Sequence, residues 1–368
     1  KYFSNNIVSI YEVIGEYFGR SVQKLSSIIF LITRLLADGI RFLATAIIFN
    51  ILTGWGIVPS VFLIGIITLI YSYLGGIKSI LWIDSIQFFV YLLGGMISIY
   101  YISLDLPSGA VLNTFGNSIN TIFHYEGSIL RDSNLLINGI IGGTFLSFAS
   151  HGADYMMVQR VLSVKNLKSG QKAMIGSGIF VLIQFGVFLF AGAMIYYFFN
   201  GVQISKDREF STFIVEYLPV GLKGLLLAGI LSAAMSTLSS SINALASSTL
   251  VDLLRVESSL LISRLISAFW AFVLIVIALV FDESDSAIVI IGLQIASFTY
   301  GGLLGLFLLS KMEKKFKPTS LMAGLISSFL IVFYLKYLGI AWTWFIMISV
   351  IANFSLTILV EKILKISR

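Results

Sequence analysis

Along most of this chain, apolar residues follow one another without the alternation of a half-buried strand or the single apolar stripe of a soluble helix. Ten such runs reach or approach the length of a bilayer crossing: roughly 25–51, 57–77, 80–103, 136–158, 172–199, 224–253, 261–281, 286–310, 319–338 and 340–361. A helix needs about 20 predominantly apolar residues to cross the hydrocarbon core, where only a helix or a closed barrel satisfies its own backbone. The pattern therefore predicts an all-α fold, a polytopic transmembrane helical bundle. Polar stretches punctuate it. Ser4 to Gly19, with Glu12 and Glu16, reads as an amphipathic helix outside the spans. Residues 104–135, with Pro107, read as a loop, and Glu209 to Leu218 as a short helix on the connection closed by Pro219.

The informative positions are the polar ones inside the apolar runs. Between Ser232 and Asn243 lie six Ser or Thr residues and one Asn. At 100° per residue Ser232, Ser236, Ser239, Ser240 and Asn243 share a face, with Thr237 on its flank. A spanning helix needs no hydroxyls for its own backbone, and two readings account for these. Small hydroxylated residues let helices pack closely and hydrogen-bond across the contact. Alternatively, a ladder of neutral oxygens is the ligand type that suits a hard cation where water is scarce.

Arg34, Asp38 and Arg41 fall near the middle of the first run at i, i+4 and i+7, on one face. Each such charge costs about 2.5–3.5 kcal/mol on insertion scales, so the face must meet protein or water. Asp38 is expected to engage one arginine fully and leave the other with an open, planar fork of donors. The face is then either a structural clamp between helices or a site for a small organic acid. Gly142-Gly-Thr-Phe-Leu-Ser-Phe-Ala-Ser-His-Gly-Ala-Asp154 gives the fourth run the polar, glycine-containing middle of an interrupted helix at a binding site. In it His151 is either a packing residue or a solute contact. Gln294 places another polar group at mid-depth in the eighth run, before Gly301 and Gly302. Asp84 sits about a turn inside the third run, at the depth expected for Ser239 and Ser240.

Composition sharpens the class. The 368 residues are 58% hydrophobic and 11% charged, where a soluble domain carries about 25% charged residues. A soluble enzyme is excluded, and no catalytic constellation is found. With no cysteine and two histidines, His124 and His151, neither a disulfide nor a thiolate metal site can form. The net charge of +6 is not a nucleic-acid signal. With the start of the chain placed in the cytoplasm, seventeen of the 24 Lys and Arg fall on cytoplasmic segments and five on outer ones, leaving Arg34 and Arg41 inside the first span. That bias follows the positive-inside rule and puts both ends of this chain in the cytoplasm. The expectation is a multi-pass protein of the plasma or inner membrane, surrounded by lipid bilayer, working as a monomer.

Four segments together are similar to one family: Ser9-Ile-Tyr-Glu-Val-Ile-Gly-Glu-Tyr-Phe-Gly-Arg20, Gly75-Gly-Ile-Lys-Ser-Ile-Leu-Trp-Ile-Asp-Ser-Ile-Gln87, Asp154-Tyr-Met-Met-Val-Gln-Arg160, and Leu225-Leu-Leu-Ala-Gly-Ile-Leu-Ser-Ala-Ala-Met-Ser-Thr-Leu-Ser-Ser-Ser-Ile-Asn243. They resemble the sodium/solute symporter family of sugar, proline, vitamin, sialic acid and monocarboxylate carriers. The resemblance implies a LeuT-like inverted-repeat fold, two five-helix halves around a midplane site. On that template residues 1–368 form a single transmembrane transporter domain, core helices three to ten plus two C-terminal helices. A leading helix and core helices one and two are expected before Lys1, so the chain reads as an N-terminally truncated fragment.

The resemblance also implies ligands. A main sodium site takes the Ala233 carbonyl and the Ser236 and Thr237 hydroxyls. A second site, found in some members, takes Asp84, Ser239 and Ser240. The family's solute residues vary, and the candidates here are Arg34, Asp38, Arg41, His151 and Gln294. The implied activity is sodium-coupled symport of a small polar solute by alternating access, with Na+ as the coupling ion. The rival expectation is a symporter-like membrane sensor domain of a signalling protein.

Overall fold

A capping box opens the first helix. The Ser9 hydroxyl accepts from the Tyr11 amide at 3.1 Å, and the Ser9 amide donates to the Glu12 carboxylate at 2.9 Å, occupying donors that a helix start leaves unpaired. The computed structural model describes residues 9–74, 77–107, 126–201, 208–256, 259–281, 288–312 and 314–366, with 109, 110, 112, 113 and 116, the side chains of 71–84 and 162 excepted. α1 runs Ile10–Phe18. It buries Ile10, Tyr11, Val13, Ile14 and Phe18 and turns Glu16 and Tyr17 outward, as an amphipathic helix should. Gly19, at φ 90°, turns the chain into α2, Arg20–Thr53. Its 34 residues span about 51 Å, well beyond the hydrocarbon core.

There follow α3 (Ile57–Leu74), α4 (Ile77–Asp105), α5 (Leu136–Ala153), α6 (Tyr155–Leu162), α7 (Leu167–Phe198), α8 (Glu209–Tyr217) and α9 (Val220–Ser248). α9 continues as a π-helical turn, Thr249–Leu254. Then come α10 (Leu260–Val280), α11 (Ile288–Ser310), α12 (Pro318–Tyr337), a 3-10 turn at Trp342–Trp344, and α13 (Phe345–Ile366). Among the described residues there is no strand.

Among the described residues, eight helices are long and apolar enough to cross a bilayer: α2, the 85–105 part of α4, α7, α9 with its π-turn, α10, α11, α12 and α13 with the turn before it. The protein is therefore a multi-pass membrane protein. α3, Ile57–Leu74, follows the second of the ten predicted runs. The fourth run is two helices rather than one. Asp154 leaves helical geometry, at φ −84° and ψ 128°, and its side chain accepts from the Met157 amide at 3.2 Å. The interruption lies at Asp154, and the same residue caps α6.

α2 is the central element, packed against α1, α3, α9, α10 and α11. The largest core cluster joins its Phe30 and Phe42 to Tyr11, Tyr155, Leu245, Leu274 and Phe307. At the end that carries α1, Asp252 of the π-turn is fully buried. It accepts from Ser9 at 2.8 and 2.9 Å, from Gln23 at 2.9 Å and from Ser248 at 3.0 Å, so α1, α2 and α9 are pinned together there. On the far side α11, α12 and α13 close on one another through small residues. A Cβ at Gly301 would lie 1.8 Å from Ser349 Oγ and 2.9 Å from the Ile346 carbonyl.

That seam has no room for a methyl group. Gly301→Ala should destabilise the protein by about 1–3 kcal/mol, the usual effect of overpacking, and lower its thermal unfolding temperature in detergent. Gly192→Ala on α7, where a Cβ meets nothing within 4 Å, should leave that temperature unchanged or slightly raised.

Candidate ion and solute site

The three charges of α2 meet a fourth that sequence spacing could not place beside them. Arg34 Nε lies 2.6 Å from Asp38 Oδ2, and Arg41 Nη1 lies 2.5 Å from Asp38 Oδ1. Arg34 Nη1 is also 3.6 Å from Asp154 Oδ2, the residue that breaks the α5–α6 run. Tyr300 of α11 donates its hydroxyl to the same Asp154 oxygen at 2.8 Å. Arg34 further donates to Ser241 Oγ at 3.1 and 3.3 Å and to Met156 Sδ at 3.2 Å. Two guanidinium groups and two carboxylates thus converge from α2 and the α5–α6 break, closed by hydroxyls from α9 and α11.

The expectation that Asp38 serves one arginine and leaves the other open is corrected by this geometry. Asp38 gives one oxygen to each arginine. Their environments then separate them: Arg34 is 4% exposed and surrounded by partners, whereas the Arg41 side chain is 50% exposed. Arg41 lines a cavity of about 870 Å3 bounded by α2, α4, α5, α6, α7, α8, α9 and α11. Arg34, Asp154, Arg160, Thr237 and Tyr300 reach it too. Tyr91 and Gln184, joined at 3.3 Å, line it from α4 and α7. Ile40, Phe188 and Leu293 supply apolar wall.

Two expected solute residues are not part of this lining. His151 hydrogen-bonds within its own helix, Nδ1 lying 3.0 Å from the Ser147 carbonyl and 3.0 Å from Ser150 Oγ. On α11 the lining stripe is Leu293, Ala296 and Tyr300, and Gln294 sits 100° round from Leu293. Polarity at mid-depth identified the segments but not the face each side chain takes.

The hydroxyl-rich face of α9 divides between two uses. Ser232 accepts from Gln87, Ser241 from Arg34, and Ser248 pairs with Ser27 at 2.8 Å. These are helix-to-helix contacts. Toward the cavity, Thr237 Oγ1 donates to the Ala233 carbonyl at 3.1 Å, and both residues line the space. Ser236 is buried. Ser240 Oγ accepts from Arg160 Nη2 at 3.2 Å. Ser239 Oγ is buried with no hydrogen-bond partner among the described residues. A carbonyl and four hydroxyls, one of them orphaned and buried, form the donor set that a monovalent hard cation fits. The Asp84 side chain lies outside the described residues, so its expected meeting with Ser239 and Ser240 does too. Asp154, Tyr300, Met156 and Arg160 were not among the sequence-derived site residues. Asp154, Met156 and Arg160 lie in a segment that carries the family resemblance, and Asp154 is also an acid inside an apolar run.

The sequence profile of the sodium:solute symporter family matches residues 1–328. The chain belongs to this family. Among its relatives within the family, the human sodium-coupled monocarboxylate transporter 2 is 28% identical over 269 residues, covering 69% of this chain and 43% of that protein. The human sodium/iodide cotransporter is 25% identical over 351 residues, covering 88% of this chain and 53% of the relative. The sodium-dependent multivitamin transporter of Oryctolagus cuniculus is 25% identical over 358 residues, covering 91% and 55%. This chain spans about half the length of these curated relatives. Among solved structures, that of a Na+-coupled sialic acid symporter in a substrate-bound outward-open state superposes with a TM-score of 0.82 at 20% identity, covering 97% of this chain and 77% of the other. The symporter fold expected from the resemblance is thus shown. These relatives are transporters rather than enzymes, and none supports the sensor reading.

Within this member of the family, Asp38 should be far more critical to stability than Arg41. Asp38→Asn strands two guanidinium groups, one of them buried, and should destabilise by about 3–5 kcal/mol. Arg41→Gln removes a half-exposed partner, for which about 1 kcal/mol or less is expected. Thermal unfolding of the two purified variants in detergent checks the order.

Proposed function

We propose that this chain is a single transmembrane transporter domain that couples inward sodium movement to uptake of a small organic anion by alternating access. One observation carries the reading: the neutral-oxygen wall of α9 and the half-exposed Arg41 border the same cavity. The wall offers a cation the Ala233 carbonyl and the Ser236 and Thr237 hydroxyls. Arg41 offers an anion the donors of a planar fork that Asp38 holds in place. Arg34, spent on Asp38, Asp154 and Ser241, is assigned to structure. Monocarboxylate and iodide, in the names of two relatives, are both anions, which agrees with a cationic solute pocket. The α5–α6 interruption at Asp154 has the form of the broken helices at which transporters of this architecture bind their cargo. The positive-inside count supports cytoplasmic ends in a plasma or inner membrane, with the transporter working as a monomer in the lipid bilayer.

The test is sodium-gradient-driven uptake by the whole native protein in proteoliposomes. Losing one ion ligand in a dry site should cost about 1–3 kcal/mol, or roughly 5–150-fold in half-saturating sodium, for Ser236→Ala and for Thr237→Ala. Sodium dependence unchanged in both variants would remove the ion assignment. For the solute, Arg41→Lys keeps the charge and loses the fork, so apparent affinity for carboxylate solutes should fall at least about tenfold with normal membrane insertion. If Arg41→Lys transports carboxylates with wild-type affinity, Arg41 is a structural partner of Asp38 and the anion reading is withdrawn.

A further inference from the structure

The interrupted helix reaches the oxygen wall of α9 with a charge of its own. Contacts between α6 and α9 run in opposite senses along the two helices. Tyr155, at the start of α6, meets Ser247 at 2.7 Å, while Arg160, near its end, meets Ser240 at 3.2 Å. α6 therefore runs antiparallel along α9, and its last turn reaches the segment where ion ligands cluster. Ser240 is one helical turn beyond Ser236 and Thr237. The neighbouring Ser239 Oγ is buried and has no hydrogen-bond partner among the described residues.

A serine hydroxyl that accepts from a guanidinium presents a lone pair to a positive charge. A sodium ion could take the hydroxyl's second lone pair, but it would then lie beside the guanidinium, and the two cations repel each other at such range.

We propose that Arg160 is a tethered cation: its guanidinium occupies the Ser240 end of the oxygen ladder when no ion is there, and an ion arriving at Ser239 and Ser240 displaces it. This rests on the sodium reading of α9 and extends it from which oxygens bind the ion to what the ion must first remove. Arg160 already lines the cavity beside Thr237, so a displaced guanidinium turns into the solute space and adds positive charge there. Ion arrival then raises the affinity for an anion without any contact between ion and solute. The start of α6 is held to Arg34 through Asp154 and Met156, so the displacement is confined to the Arg160 side chain at its far end.

The test uses the whole native protein in proteoliposomes, with uptake measured against sodium at constant ionic strength, choline replacing sodium. Arg160→Gln keeps a donor for Ser240 and removes the charge. Its half-saturating sodium should fall about tenfold, the equivalent of one charge-assisted hydrogen bond. Arg160→Lys keeps a competing charge and should retain a midpoint close to wild type, which a purely structural role for the guanidinium would not predict. In a Ser240→Ala background the Arg160→Gln effect should vanish, because the contested oxygen is gone. A midpoint unchanged or raised in Arg160→Gln overturns the proposal. If that variant does not transport, sodium-dependent protection of the purified protein against thermal unfolding reads the same midpoint: a fall supports the competition, and an unchanged or raised value overturns it. A wild type whose uptake and protection both ignore sodium overturns the ion reading itself. A wild type that responds beside an Arg160→Gln that does not shift overturns only the competition.

Discussion

Charge neutrality in a medium that cannot solvate ions is the constraint on which this structure hangs. Arg34, Arg41, Asp38 and Asp154 are two cations and two anions, and Arg34 and both aspartates are nearly or fully buried. Any of them left there without a partner would carry a heavy desolvation cost. Asp154 does two things in that set. It offsets the second guanidinium, and it caps the helix that begins after it. The break in the α5–α6 run and the charge cluster of α2 are therefore one construction. Tyr300 extends it to α11 through the same carboxylate oxygen. Remove the acid and both the turn and the electrostatic balance fail together.

Around this centre the molecule is built in two manners. Along the α11–α12–α13 seam, glycines sit against Ser349, Ser328, Asn353 and Thr357 so closely that backbone approaches side chain without space between. Packed surfaces of this kind have one register and resist sliding. On the cavity side, glycines of α4 and α9 also pack closely against Leu226, Val90 and Val187, but Tyr91, Gln184 and Arg160 border open space. The end that carries α1 is different again. Asp252 takes its hydrogen bonds from Ser9, Gln23 and Ser248 on three elements, at a π-turn, a kind of irregularity common at functional positions. Motion that opens the cavity toward that end must part those bonds.

Much of this was readable from residue order because the membrane imposes simple rules. Uninterrupted apolar length identified the spans, and the shared face of Ser236, Ser239 and Ser240 is a consequence of helical period alone. The i, i+4, i+7 spacing of Arg34, Asp38 and Arg41 foretold their pairing. What it did not reveal was the partner from another helix, although the arithmetic was in view. Two arginines and one aspartate leave an excess positive charge, and Asp154 was an unassigned acid inside an apolar run. His151 and Gln294 lie off the cavity lining for the opposite reason. Their depth was legible, but whether a polar group faces a cavity or its own helix depends on neighbours that no local pattern encodes.

The distance along the chain between Arg34 and Asp154 has a consequence for how the protein is made. They are separated by 120 residues, and a ribosome adding about 5–20 residues per second needs roughly 6–24 s to cover them. Throughout that interval α2 has been synthesised with a surplus guanidinium and no acid to receive it. Such a segment must be sheltered at the insertion machinery or at the membrane interface until α5 and α6 emerge. Helix order in the nascent chain thus becomes a schedule: the central span of the finished bundle is one of the earliest made here, and it settles only when a later one brings its counter-charge.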